Sequence, residues 1–279
     1  MARKLFCEIS PLTYRISTQK CILMRRLSDA VSGCRFACAH SRNPLPVRVY
    51  AHSSLIRRTL GAVDPVLQEN KAVNLSLAAP KVSGILIRPG ETFSFWRLVG
   101  NPTAAAGYRE GLAIARGSPA SGVGGGMCQF TNLLHWMVLH TPLTVIELHH
   151  HDGVDLFPDF GRKVPFGTGT SILYNYLDYR FRNDTCATYQ ILVSVTDTHL
   201  CGELRCDRPQ PLCYHIYTEN EHFSREGDTV YRCGRVMRDT IDPKTGDHLS
   251  QKLLRTNHAR VMYDTSSLIV EENFIHTGK

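Results

Sequence analysis

Apolar and polar positions alternate in short runs along most of this chain, and only two stretches carry a helical period. Phe130, Leu133, Leu134, Met137 and Val138 recur on one face of a 3.6-residue element that begins near Cys128. Asp64-Pro65 reads as the cap and first residue of a second helix running to about Ala79. Val66, Leu67, Val73, Leu75 and Leu77 supply its apolar positions and Pro80 closes it. Elsewhere the period falls to two. Ile85-Leu86-Ile87, the turn Arg88-Pro89-Gly90-Glu91 and the run Thr92 to Trp96 predict a hairpin, while Leu112 to Ala115, Tyr176 to Phe181 and Tyr189 to Val195 predict further strands. Residues 1–50 show no sustained period and end at Pro44-Leu45-Pro46, an extended connector. Asp228 to Arg238 alternates like a strand, and Asp242 to Asp247 is a turn. Many short strands around one or two helices predict an α+β fold. Its parts are a basic N-terminal extension over 1–44, a core domain over 45–205 and a C-terminal strand-rich extension over 206–279.

Composition adjusts this picture in two places. A hydrophobic fraction of 43% over 279 residues supports a sizeable core and excludes a disordered or fibrous chain. The net charge of +7 is uneven, because residues 1–60 hold 11 Lys and Arg against only Glu8 and Asp29. Dispersed pairs such as Arg25-Arg26 and Arg57-Arg58, without interleaved aromatics or zinc-finger spacing, argue against nucleic acid as a partner. A basic arm is compatible with peripheral contact at an anionic membrane surface. No run approaches the ~20 apolar residues of a transmembrane segment. Charges at Glu8, Arg15, Lys20, Arg25 and Arg26 interrupt any signal-peptide core, so the expectation is a cytoplasmic protein. Ten cysteines then read as free thiols. The spacings Cys34-Cys38 and Cys201-Cys206-Cys213 do not make a zinc site, and no cofactor is expected.

The chemistry concentrates in Gly124-Gly125-Gly126-Met127-Cys128-Gln129. These residues place a thiol in the first turn of the apolar helix, where unpaired N–H groups and the positive dipole end favour a thiolate. Such a thiol is expected to react first with alkylating reagents. Downstream, Glu147-Leu148-His149-His150-His151-Asp152 follows a strand-like run; if the strand continues, His149 and His151 share a face and His150 points away. Cys128 is therefore the candidate nucleophile and His149 or His151 the candidate base. Gly124, Gly125, Gly126 and Gln129 are the candidate oxyanion and substrate-binding residues. Glu147, Asp152 or Asp178 would orient the imidazole, and Arg162 would bind a substrate carboxylate. Three alternatives stand beside this. The glycines are a tight strand-to-helix connection and the cysteine a small core residue. Or Cys128, His149 and His151, with His135, ligate zinc. Or the chain binds without reacting, through a groove lined by Phe93, Phe95, Trp96 and Tyr108.

The ordered string Pro89-Gly90-Glu91-Thr92-Phe93-Ser94-Phe95, Gly107-Tyr108, Gly124 to Gln129 and Glu147-x-His149-x-His151 resembles the VanW family. Trp96 to Gly100, Pro165 to Thr170 and Asp197 to Arg205 extend the resemblance, which covers about residues 45 to 265. It implies a link to peptidoglycan and vancomycin resistance, with a peptidoglycan stem peptide or precursor as partner. Exported relatives carrying this module are implicated in L,D-transpeptidation through a cysteine, which at the matching position is Cys128, with His149 and His151 as the family histidines. The departure is that transpeptidation takes place outside the membrane, where this sequence shows no export signal.

Overall fold

A computed structural model describes residues 5–58, 64–115, 118–151, 153–159 and 164–272. The fold is α+β, as expected, and the described residues hold four α-helices rather than one or two: α1 Pro11–Val31, α2 Pro65–Val82, α3 Phe95–Val99 and α4 Met127–Val138.

The core is an antiparallel sheet with two helices packed against it. Strands Val47–Leu55, His199–Cys206, Tyr189–Val195 and Ile85–Ile87 lie in that spatial order. The central strand alternates strictly: Leu200, Gly202, Leu204 and Cys206 are buried and the residues between them are not. α4 approaches closely because Gly202 has no side chain; a Cβ there would stand 2.8 Å from Met137 Cε and 2.9 Å from Leu133 Cδ2. α2 starts at Asp64, whose carboxylate accepts from Val66 N at 2.9 Å. It runs past the expected stop, since Pro80 lies inside the last turn and Ser83 N still reaches Ala79 O at 2.9 Å.

The expected hairpin does not form. Ile85–Ile87 joins the core sheet, whereas Glu91–Ser94 pairs with Arg35–Phe36 and Arg180–Arg182 in a second sheet completed by Thr144–Glu147. Asn183, fully buried, separates the two strands. Its Nδ2 donates to Ile87 O (2.8 Å) and Ala187 O (2.7 Å), and its backbone pairs with Gly90 N and Glu91 O. Phe95 and Trp96 turn inward as the start of α3, so Phe93, Phe95, Trp96 and Tyr108 are all buried. Phe93 stacks on Phe181 with centroids 4.7 Å apart, and Phe95 meets Phe130 edge-on at 5.3 Å. These aromatics are core and line no groove.

The chain before residue 45 holds a 21-residue helix that the absence of a clear period concealed. Ser10 caps α1 by accepting from Thr13 N (3.2 Å), while Thr13 Oγ1 accepts from Ser10 N (2.9 Å), with Pro11 as first helical residue. α1 buries none of its residues. Arg25 bonds Glu147, and Asp29 receives Arg180 in bidentate fashion at 2.7 and 3.0 Å. Leu12, Ile16, Leu23, Leu27 and Val31 remain exposed on the side away from these contacts.

At the other end, Cys213–Glu226, Thr229–Ile241 and His248–Val261 form a long antiparallel meander, with Val154–Asp155 and Val270–Glu272 as its parallel edges. Trp136 and Leu139 pack with Ile216 and Val236, so this sheet shares a small apolar cluster with the end of α4.

Candidate functional site

The glycine run is first a packing device. Gly124 and Gly126 adopt left-handed φ of 79° and 95°, and Gly126 caps α4. Gly125 lies against the neighbouring hairpin so closely that a Cβ would stand 2.2 Å from both C and O of Gly111. Asn74 of α2, fully buried, clamps the turn: its Nδ2 donates to Gly125 O and Arg109 O, both at 2.9 Å, and its Oδ1 accepts from Arg109 N at 2.8 Å. The turn thus fixes the start of α4 against α2 and the Glu110–Ala115 strand.

Cys128 is the second residue of α4 and lines a cleft of about 1240 Å³. Burial pushes its thiol up from the ordinary value, opposed by the Ile172 N–H and by its own N–H, which lie against the sulfur. The resting group is a neutral thiol, unlike the thiolate expected from the helix start alone, because desolvation outweighs those two donors. Gln129 sends its side-chain nitrogen to the core sheet, 2.9 Å from both Ser54 Oγ and Leu55 O, and so anchors the helix.

The segment Pro165 to Ile172 ties the cleft together. Asn132 of α4 accepts from Thr170 N at 2.6 Å and from Thr170 Oγ1 at 2.9 Å. Ser171 N donates to His149 O at 2.7 Å, and His150 Nδ1 bonds Gly169 O at 2.5 Å. The strand Thr144–Glu147 stops before the histidines, so strand alternation does not govern them. His150 and His151 line the cleft with Cys128. His149 turns the other way, with Nε2 3.2 Å from Glu147 Oε1.

Of the two described carboxylates expected to orient a histidine, Glu147 mainly attaches α1 and Asp178 ties together core backbone and side chains. Glu147 bonds Arg25 and accepts from Asp178 N at 2.9 Å; burial acts to raise its pKa, and these donors together with His149 outweigh it, so the carboxyl lies below its ordinary value. Asp178, buried, accepts from Ser94 Oγ (2.5 Å), Trp96 N (3.0 Å), Tyr179 N (2.8 Å) and Arg180 Nε (2.7 Å), which leaves it far from a bystander role in folding. Asp152 and Arg162 lie outside the described residues.

Among the described residues no three His, Cys, Asp or Glu side chains gather at metal-ligating spacing, and the set Cys128, His149, His151 is split by the direction of His149. His135 is buried beside Tyr179 OH at 3.2 Å, and burial, aided by His150, pushes it down to about 3. His140 stacks on Tyr50 with centroids 3.6 Å apart and is pushed down to about 4, chiefly by burial. Both are neutral core histidines at pH 7.

Sequence reasoning missed three contributors to the cleft. Lys71 comes from α2, and Arg255 and Asn257 come from the C-terminal meander. Lys71 leaves a visible trace in the sequence, since a cation sits on the otherwise core-facing side of α2 with Asn74, Leu75 and Ala78; the meander residues leave none.

The segment that carries the glycine turn, the cysteine and the histidine run lies within a stretch of sequence similar to other proteins. A sequence model described as VanW like protein matches residues 70–205. The chain is 37% identical over 231 residues, 83% of its own length and 84% of the relative's, to the vancomycin B-type resistance protein VanW of Enterococcus faecalis. The chain belongs to the VanW family. The uncharacterized protein YoaR of Bacillus subtilis is 30% identical over 118 residues, 41% of this chain and 36% of that one. No solved structure matches. The family match runs from within α2 into the strand His199–Cys206, and so includes Lys71, Asn74, Cys128 and His149, His150 and His151, while the three long strands of the meander lie beyond it.

Proposed function

We propose that this VanW-family chain serves vancomycin resistance by acting on a peptidoglycan stem peptide or its precursor, as an L,D-transpeptidase-like acyl transferase that uses Cys128. The observation that carries the reading is that Cys128 and His151 line one cleft, with the N–H groups of Cys128 and Ile172 beside the sulfur. The Cys128 sulfur attacks a stem carbonyl while His151 takes the thiol proton, and the departing amine leaves with that proton. A second amine, or water, then attacks the thioester and releases Cys128 as thiol. Met127 and Cys128 N–H, first-turn donors with no intrahelical acceptor, face the developing oxyanion.

His151 is preferred to His149 as the base because His149 is directed to Glu147. His151→Ala is expected to lower stem-peptide transfer by about a hundredfold or more, the usual weight of a general base, while His149→Ala changes it by a factor of a few. Steady-state transfer between defined stem peptides checks this; equal losses in both variants would remove the assignment. The raised thiol favours a second reading, in which the chain binds the stem without reacting. Stem binding without any turnover in the wild type would decide for that reading.

The site of action in this proposal is an anionic membrane surface, reached through α1. Leu12, Ile16, Leu23, Leu27 and Val31 form an exposed apolar stripe that Lys20 interrupts and that Arg15 and Arg26 border on one side. An in-plane amphipathic helix has this distribution. Among the described residues no helix is long and apolar enough to cross a membrane. Co-sedimentation with phosphatidylglycerol vesicles, weak with phosphatidylcholine alone and lost in the double variant Leu23→Asp, Leu27→Asp, is the expected result. Equal sedimentation of that variant would overturn the contact.

A further inference from the structure

Lys71 is an ammonium built into the wall of the cleft. It lies midway along α2, with Gln68, Asn74 and Leu75 of the same buried side around it, and keeps only 6% of its surface exposed. Its stem runs over the glycine turn: a Cβ on Gly126 would stand 2.2 Å from Lys71 Cγ and 2.8 Å from Cδ. The side chain therefore has little freedom, and what remains accessible opens into the cleft beside the start of α4.

The carboxylates that could balance this charge are committed elsewhere. Glu69, on the same helix, is held by Arg57 at 2.5 and 2.7 Å. Asp155 is the one carboxylate among the described cleft-lining residues, and Arg232 and Tyr263 OH hold it at 3.3 and 3.0 Å. Among the described residues Lys71 has no hydrogen-bond or ion-pair partner. The other cations on the cleft wall are Arg57, which Glu69 holds, Arg58 and Arg255. Burial, with Arg58 and Arg57 adding repulsion, pushes Lys71 down to about 8. A buried cation without a counter-charge is unfavourable unless an anion joins it, and the first-turn N–H groups of α4 on the same wall are themselves anion-seeking.

We infer that Lys71, beside the start of α4, is the anchor for an oxyanion carried by the cleft's ligand, a carboxylate or a phosphate group. The bound anion lies over Gly126, with Lys71 Nζ donating to it, and Arg57 and Arg58 add attraction from the rim. This deepens the proposed function, since it rests on the cleft being where the ligand sits, but it does not need Cys128 to react. The anion holds one end of the ligand and so fixes which of its carbonyls comes to the sulfur.

The test is calorimetric titration of the full chain with two probes, inorganic pyrophosphate and N-acetyl-D-alanyl-D-alanine. Wild type is expected to bind at least one. Lys71→Met, close in volume and uncharged, weakens that binding by at least about tenfold, and Lys71→Arg keeps it within about threefold. Preference for pyrophosphate identifies a phosphate-bearing ligand, and preference for the peptide identifies a terminal carboxylate. Binding of neither probe by wild type, or equal binding by wild type and Lys71→Met, overturns the inference. Should Lys71→Met not fold, reductive methylation of wild type replaces it: protection of Lys71 by the bound probe supports the site, and unchanged modification overturns it. Cys128→Ala separates this inference from the acyl-transfer reading. Transfer that persists in that variant removes the nucleophile, while the titration alone decides the anchor.

Discussion

Cys128→Ala is expected to abolish the proposed stem-peptide transfer and to leave the fold intact. Loss of a nucleophile of this type is expected to cost on the order of a thousandfold or more in rate. The thiol is half-buried, makes no hydrogen bond to another side chain, and contributes mainly as a small apolar group, so stability should change by about 1 kcal/mol or less. The two measurements are transfer between defined stem peptides and the thermal midpoint; transfer that survives the substitution would sink the chemistry. The same physics sets the order of alkylation. Cys38, Cys186 and Cys213 are exposed, whereas Cys128 is desolvated and protonated at rest. Iodoacetamide at neutral pH should therefore reach those three before Cys128, the reverse of what the helix-terminal position alone suggests.

Gly125→Ala unfolds the chain or destabilises it by about 3 kcal/mol, the upper end of the usual cost of overpacking. The added methyl would meet backbone rather than a yielding side chain, at 2.2 Å from C and O of Gly111. Moving the glycine turn away from the hairpin would also break the Asn74 clamp, which bonds Gly125 O and both backbone polar groups of Arg109. Denaturant titration of the variant checks the loss. A midpoint equal to that of wild type would mean that the turn relaxes freely. Gly122→Ala, with open space where its Cβ would lie, is the control and should be nearly silent.

What was legible in the sequence is what depends on neighbours in the chain. The α4 face, the Asp64-Pro65 start of α2, the strand Tyr189–Val195 and the α+β class follow from local period and capping. α1 escaped notice because its apolar residues point outward and are broken up by Lys20 and the arginines, although the Ser10-Pro11-Thr13 start signal was present. The hairpin at Arg88 to Glu91 failed because Asn183, nearly a hundred residues away, takes the backbone groups of one arm. The candidate residues stand in the sequence, whereas their geometry does not. Cys128 and the histidine run were visible, but which imidazole faces the cleft depends on Gly169 and Ser171 holding the run after the strand has ended. The contributions of Lys71, Arg255 and Asn257 required a map of which distant segments share a wall.

The far wall of the cleft has its own joint. Asn257, in the middle of the last long strand, donates to Phe166 O at 2.9 Å and packs so tightly on Gly167 that a Cβ there would stand 2.2 Å from its Oδ1. The meander therefore grips the loop that reaches both α4 and the histidines, from outside the segment that defines the family. The two walls of the cleft are thus written in separate stretches of the gene. Exchange or drift in the tail would reshape the far wall while the α4 wall stays untouched.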